Sequence, residues 1–190
     1  MTGQRGNGLR DNGQCAVVLS LGSNLGDRMA NLQLGVDVLT AGSLACPAVS
    51  GVYETAPVGG PDQDPYLNAV LLATSSLPAH DILRLCIAAE SAAGRVRTVR
   101  WGPRTLDVDI IACGDATSAA LELMLPHPRA HERAFVLAPW LELDANAVLP
   151  GRGKVADLLA AIGTAGVRRR PELALTLPSG ADTEAGLPCT

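Results

Sequence analysis

Aromatic side chains are scarce: the 190-residue chain has one Phe, two Tyr and two Trp. Stacking platforms on consecutive strands are therefore missing, which argues against a single-stranded RNA reader. An excess of basic charge is missing too, with 15 Lys plus Arg against 19 Asp plus Glu and a net charge of -4. A general nucleic-acid binder shows the opposite balance. The five cysteines (Cys15, Cys46, Cys86, Cys113, Cys189) form no C-x-x-C pair and are odd in number. They read as reduced thiols rather than a disulfide framework. No run free of Asp, Glu, Lys and Arg is longer than Pro65 to His80, short of the ~20 residues a membrane span needs. Residues 1–14 hold four Gly and no apolar signal core, so the expected location is the cytoplasm. G-x-x-x-x-G-K-[ST] is absent, which excludes a P-loop. No internal repeat is visible.

What is present is enough apolar residue, 47%, to fill one domain core. Residues 1–14 read as a flexible leader, 15–167 as the folded domain, and 168–190 as a flexible tail opening on Arg168-Arg169-Arg170-Pro171. Cys15 to Leu21 reads as a buried strand, with a turn at Gly22-Ser23-Asn24. Met29, Leu32, Val36 and Leu39 recur at helical spacing. Val49 to Thr55 and Tyr66 to Thr74 read as strands on either side of a Pro/Gly/Asp loop. Pro78 opens a second helix striped by Ile82, Cys86, Ala89 and Ala93 and stopped by Gly94. A strand follows at 106–112, then short helices at 132–140 and 155–162. The order β-α-β-β-α-β followed by helices predicts an α+β, ferredoxin-like sandwich.

In Leu106-Asp107-Val108-Asp109-Ile110 the apolar side chains face one way and the two carboxylates the other, roughly 6.5–7 Å apart. Two acids that close repel unless a cation lies between them, and magnesium favours hard oxygen ligands shared with phosphate. A bare Asp-x-Asp is more often an exposed strand face. Here four arginines, Arg95, Arg97, Arg100 and Arg104, sit in the preceding loop, and guanidinium forks suit phosphate oxygens. A solvated basic loop is the blander reading. Arginine, carboxylate and metal together are what phosphoryl transfer requires. Glu90, near a helix C-terminus, opposes the helix dipole, so it is expected to have a cationic partner or a ligand hydroxyl, or else to be simply exposed. Asn68 shares a strand face with Tyr66 and offers a donor and an acceptor to the mixed edge of a flat heterocycle. Tyr66 and Phe135 are candidates to sandwich such a ring, though each alone reads as core. His127, between two prolines, is within reach of a phosphate in principle. His131 and Arg133 follow at a helix start, where anions are favoured.

These motifs resemble the 6-hydroxymethyl-7,8-dihydropterin pyrophosphokinase family. The matching segments are LGSNLGDR (21–28), YETAPVGGPDQDPYLNAV (53–70), GRVR (94–97), RWGPRTLDVDII (100–111) and LPHPRAHERAFVLAPW (125–140). The resemblance implies a mainly antiparallel sheet, ATP as co-substrate and two magnesium ions. The pterin hydroxyl would attack the β-phosphorus and AMP would leave. It further implies that Asp107 and Asp109 ligate metal and that Arg95 and Arg104 engage ATP, Arg95 being the better catalytic candidate. Glu90, Arg97, His127 and Arg133 match nucleotide or phosphate contacts. Thr55, Val58, Tyr66, Asn68, Trp101 and Phe135 match the pterin pocket and its lid. The expected partners are ATP and the pterin, with no nucleic acid and no membrane, acting as a monomer. Departures are Ala56 in place of a frequent proline, a short Thr98-Val99 stretch lacking a lysine, Trp140 at a usually smaller position, and Ile87 where some members are polar. Competing readings are a metal-dependent nucleotide hydrolase, a ferredoxin-like RNA-binding module and a silent nucleotide sensor.

Overall fold

The apolar run from Cys15 onward forms a central strand, β1 (Cys15–Ser23), buried on both faces. Val17, Leu19 and Leu21 enter one core and Val18 enters another, which is why the run shows no polar alternation. The computed structural model describes residues 13–57, 63–95 and 103–178. Helix α1 (Arg28–Thr40) follows, capped by Asp27, whose carboxylate accepts from Ala30 N–H at 3.0 Å. Gly35 lets this helix lie close on the sheet, because a Cβ there would meet a Leu106 methyl at 2.9 Å.

The sheet continues with β2 (Ala45–Val49), β3 (Tyr53–Thr55), β4 (Tyr66–Ser75) and β5 (Asp107–Cys113), with α2 (Ala79–Ala92) between the last two. β1 lies between β4 and β5, and every pairing is antiparallel. β2 and β3 share one edge of β4, so the sheet has the order expected of a split β-α-β fold. The single strand expected over 49–55 is in fact two. The register shifts between Ala45 and Ala48, around Pro47, which has no N–H to give the ladder. Ser50 bridges the gap: its N–H donates to Val70 C=O at 2.9 Å and its hydroxyl accepts from Val70 N–H at 3.0 Å. The Gly22-Ser23 pair lies within β1 rather than in a turn.

Helices α1 and α2 cover one face of the sheet through Leu32, Val36, Leu39, Ile82, Cys86 and Ala89. The other face is covered by α3 (Ala134–Leu143) and α4 (Val155–Ile162), through Val136, Leu137, Trp140 and Val155. Two short hairpins, β6 (Ser118–Ala120) with β7 (Leu123–Leu125) and β8 (Val148–Leu149) with β9 (Gly153–Lys154), were not expected from the sequence.

The stretch expected as a flexible tail is built into the fold as far as residue 178. β10 (Val167–Arg169) pairs antiparallel with β3. Arg168 and Arg170 pair with Glu54, and Arg169 pairs with Glu142 at 2.9 Å. The basic triplet reads as solvated because its acidic partners are remote in sequence. Beyond it, Leu173, Leu175 and Leu177 pack against the α1/α2 core, and Thr176 N–H donates to Gln33 of α1 at 3.0 Å. A chain ending at Gly166 should therefore lose about 3 kcal/mol of stability, at roughly 1 kcal/mol per half-buried leucine. Urea unfolding of the two chains measures this. The expected leader lies outside the described residues as far as residue 12, as do residues 179–190.

Candidate active site

Alternation along β5 buries Val108 and Ile110 and leaves Asp107 and Asp109 facing outward, with side chains 24% and 36% exposed. Asp107 stands in register with Gly22 of β1, and Gly22 with Asn68 of β4. These three share one face of the sheet. Gly22 leaves a gap in that row: a Cβ there would press on Asn68 Oδ1 at 3.4 Å and lie 3.7 Å from the Tyr66 ring. The site thus has acids on one side and an amide with an aromatic on the other.

Each carboxylate is met by cations. Arg95 Nη1 lies 2.8 Å from Asp107 Oδ1, and Arg104 Nη1 lies 2.5 Å from Asp107 Oδ2. Arg133 Nη1 lies 2.8 Å from Asp109 Oδ2, with His127 Nε2 3.8 Å from the same oxygen. Burial disfavours the Arg104 charge, but Asp107 outweighs it and holds the pKa above its ordinary value. Burial also raises the Tyr66 phenol pKa, against the pull of Arg104 and Arg95 close by. Burial lowers the pKa of His127, with Arg133 and Arg129 adding to the effect, so the imidazole is neutral at pH 7. Its Nδ1 accepts from Arg129 N–H at 3.2 Å, which assigns the proton to Nε2, facing Asp109. The Arg133 guanidinium lies 5.7 Å from the Phe135 ring centre.

Glu90 is buried, 6% exposed, at the end of α2. Its Oε1 accepts from Val108 N–H at 3.0 Å and pairs with Arg95. It therefore ties α2 to β5 and sets the position of the arginine that reaches Asp107. Glu90→Gln removes that charge beside a guanidinium only 9% exposed, which keeps Asp107 as a partner, and should cost about 1–2 kcal/mol, read as a lower unfolding midpoint.

The structure brings together Glu90, Arg95, Arg104, Asp107, Asp109, His127 and Arg133, with Phe135 against Arg133. Asn68 Nδ2 donates to Thr55 Oγ1 at 3.0 Å and to Tyr53 C=O at 3.3 Å, which joins Thr55 to the same wall. Arg97, Trp101 and Val58 lie outside the described residues, as does Arg100. Sequence reasoning missed Asn24. It is 1% exposed; its N–H donates to Arg104 C=O at 3.1 Å and its Oδ1 accepts from Arg104 N–H at 2.8 Å. Its Nδ2 donates to Gln63 Oε1 at 2.8 Å. One amide thus fastens the segments leading into β4 and β5. The signal was a polar residue directly after a buried strand. Among the described residues, an open cleft of about 380 Å³ is lined by Glu54, Thr55, Ala56, Pro65 and Arg168, and another lies beside Trp140 and Asp144. Arginine side chains occupy the space over the carboxylates themselves.

Residues 18–145 match the family model for 7,8-dihydro-6-hydroxymethylpterin-pyrophosphokinase. The chain belongs to that family. A relative from Mycobacterium leprae, a 2-amino-4-hydroxy-6-hydroxymethyldihydropteridine pyrophosphokinase, is 52% identical over 159 residues, covering 76% of this chain and 81% of its own. A relative of the same description from Methylorubrum extorquens is 41% identical over 152 residues, covering 80% and 96%. The crystal structure of Plasmodium falciparum HPPK-DHPS with pterin and p-hydroxybenzoate superposes with a TM-score of 0.57 at 13% identity. That match covers 80% of this chain but only 42% of the larger protein, and it bears on the fold alone. The α+β fold is that of this pyrophosphokinase family.

Proposed function

We propose that the chain transfers the pyrophosphoryl group of ATP to 6-hydroxymethyl-7,8-dihydropterin, giving the pterin diphosphate and AMP in folate biosynthesis. The observation that carries this reading, beside family membership, is the pair Asp107 and Asp109 on one face of β5 under Arg95, Arg104 and Arg133. Magnesium fits the pair. The donors are hard carboxylate oxygens, and the described residues hold no group of three or more His, Cys, Asp or Glu that could cage a metal. Its remaining ligands would then come from phosphate oxygens and water. Asp107 and Asp109 would hold the ions, of which we expect two, and when bound they supply neutralisation of the triphosphate charge.

The chain's own side chains do the rest. Asp107 and Asp109 fix where the phosphates lie. Arg95 and Arg104 exchange carboxylate partners for phosphate oxygens, so their charges meet the transferring group without a large search. Arg133, Arg97, Glu90 and neutral His127 complete the nucleotide side. Asn68 has its Nδ2 hydrogens engaged by Thr55 and Tyr53, so it presents Oδ1, an acceptor, beside the Gly22 gap. That suits a pterin N–H. Tyr66, Phe135, Val58 and Trp101 supply the ring contacts in this reading. Asn68→Ala should raise KM for the pterin about 10–100-fold and leave KM for ATP nearly unchanged, in steady-state assays with each substrate varied.

No helix among the described residues is long and apolar enough to cross a membrane. We read the enzyme as a cytoplasmic monomer. The deciding assay mixes protein, ATP, magnesium and the hydroxymethyl-dihydropterin and separates the products by chromatography. AMP and pterin diphosphate should appear in equal amounts, and no AMP without pterin. Nucleotide breakdown of equal rate in the pterin-free control would instead make the chain a metal-dependent hydrolase.

A further inference from the structure

Cys15 opens β1 and Cys113 closes β5, on neighbouring antiparallel strands. Val17 faces Cys113 in the ladder, so Cys15 is its diagonal neighbour, within side-chain reach. The two Sγ atoms lie 3.2 Å apart, although the residues are separated by 98 positions in sequence. Both are free thiols. Gly114 N–H donates to Ala16 C=O at 2.7 Å and holds the two strand ends in this register. A disulfide needs about 2.05 Å between the sulfurs, so oxidation has only the remaining gap to close, by rotation of the two side chains and a small shift of the two strand ends.

We propose that Cys15 and Cys113 are an oxidisable dithiol, which hydrogen peroxide or a related two-electron oxidant converts to a disulfide linking β1 to β5. Cys15 is the half-buried member and Cys113 is 4% exposed, so Cys15 meets the oxidant first. Burial, together with the Cys15 thiol beside it, also pushes the Cys113 pKa up, which disfavours its attack on peroxide. The Cys15 thiolate attacks one peroxide oxygen, the O–O bond breaks, and hydroxide leaves to become water. The resulting Cys15 sulfenic acid is 3.2 Å from its resolving partner. Cys113 sulfur attacks Cys15 Sγ and gives up its proton, and the sulfenic oxygen departs as a second water. Two thiols lose two electrons and two protons, and one peroxide becomes two waters.

The link lies at the far end of the strands from the acids. Asp109 stands opposite Ser20, and Cys15 is five residues further along β1, roughly 16 Å away. It should therefore leave turnover unchanged while making unfolding harder, because it closes a long loop. The test treats the full chain with a small excess of hydrogen peroxide and maps its peptides by mass spectrometry. The expected result is a reductant-sensitive Cys15–Cys113 cross-link that has lost two hydrogens, with the melting temperature raised by at least about 5 °C and activity retained. C15S and C113S should each abolish both the link and the shift. Unlinked thiols, a Cys15 sulfinic acid without cross-link, or the same melting shift in C113S would overturn the proposal. The peptide map of the unsubstituted chain decides the matter even where a variant folds poorly.

Discussion

Asp107→Asn and Asp109→Asn should each lower kcat by about 10²–10³-fold while the protein stays folded. The substitution keeps the shape of the side chain and removes the charge that, in the proposed function, gathers a divalent cation. Folding should survive because both side chains are partly exposed and neither belongs to either apolar core. Arg95 still has Glu90 when Asp107 is neutralised, and Arg133 still faces the Phe135 ring when Asp109 is. The two variants should differ in degree. Asp107 meets two arginines, so its loss disturbs two guanidiniums, whereas Asp109 meets one arginine and a neutral imidazole. Circular dichroism and quench-flow turnover on the same samples separate folding from chemistry. Turnover within threefold of the parent in both variants would remove the metal assignment.

Arg95→Ala should slow the single-turnover rate by about 10³-fold and change ATP affinity by less than about fivefold. The asymmetry follows from where the residue sits. Its side chain is 9% exposed, against 33% for Arg104, and it is held between Glu90 and Asp107. Gly94, at φ 67, turns the chain out of α2, and Arg95 N–H donates to Glu90 C=O at 3.1 Å. An arginine positioned in advance in this way loses little entropy when charge develops on a phosphoryl group, so its contribution falls on the rate. Arg104, more exposed, should contribute more evenly to binding and rate. Arg95→Lys should restore part of the rate, because a point charge replaces a fork. A collapse of ATP affinity with an unchanged single-turnover rate would reverse the assignment.

The sheet core was legible because it rests on local patterns. The unbroken apolar run at β1, the helical spacing of Leu32, Val36 and Leu39, and the alternation about Asp107 each carry their own signature. The split into β2 and β3 was hidden because Ser50, at the break, replaces a ladder bond with its hydroxyl. The strand at Val167–Arg169 was hidden because its pairing depends on Glu54 and Glu142, which no local window contains. Asp107, Asp109, Arg95 and Arg104 of the candidate site were singled out from type and spacing. Their mutual pairing was not, since Arg133 reaches Asp109 from a different element. Asn24 escaped notice because a buried amide between two loops looks, in sequence, like any turn residue.

Calorimetric titration of magnesium with a non-hydrolysable ATP analogue shows whether Asp107 and Asp109 gather the metal. Magnesium should tighten analogue binding by at least about tenfold in the parent chain and not in the Asp107→Asn, Asp109→Asn double variant. Magnesium-dependent binding of equal strength in both proteins would contradict that role.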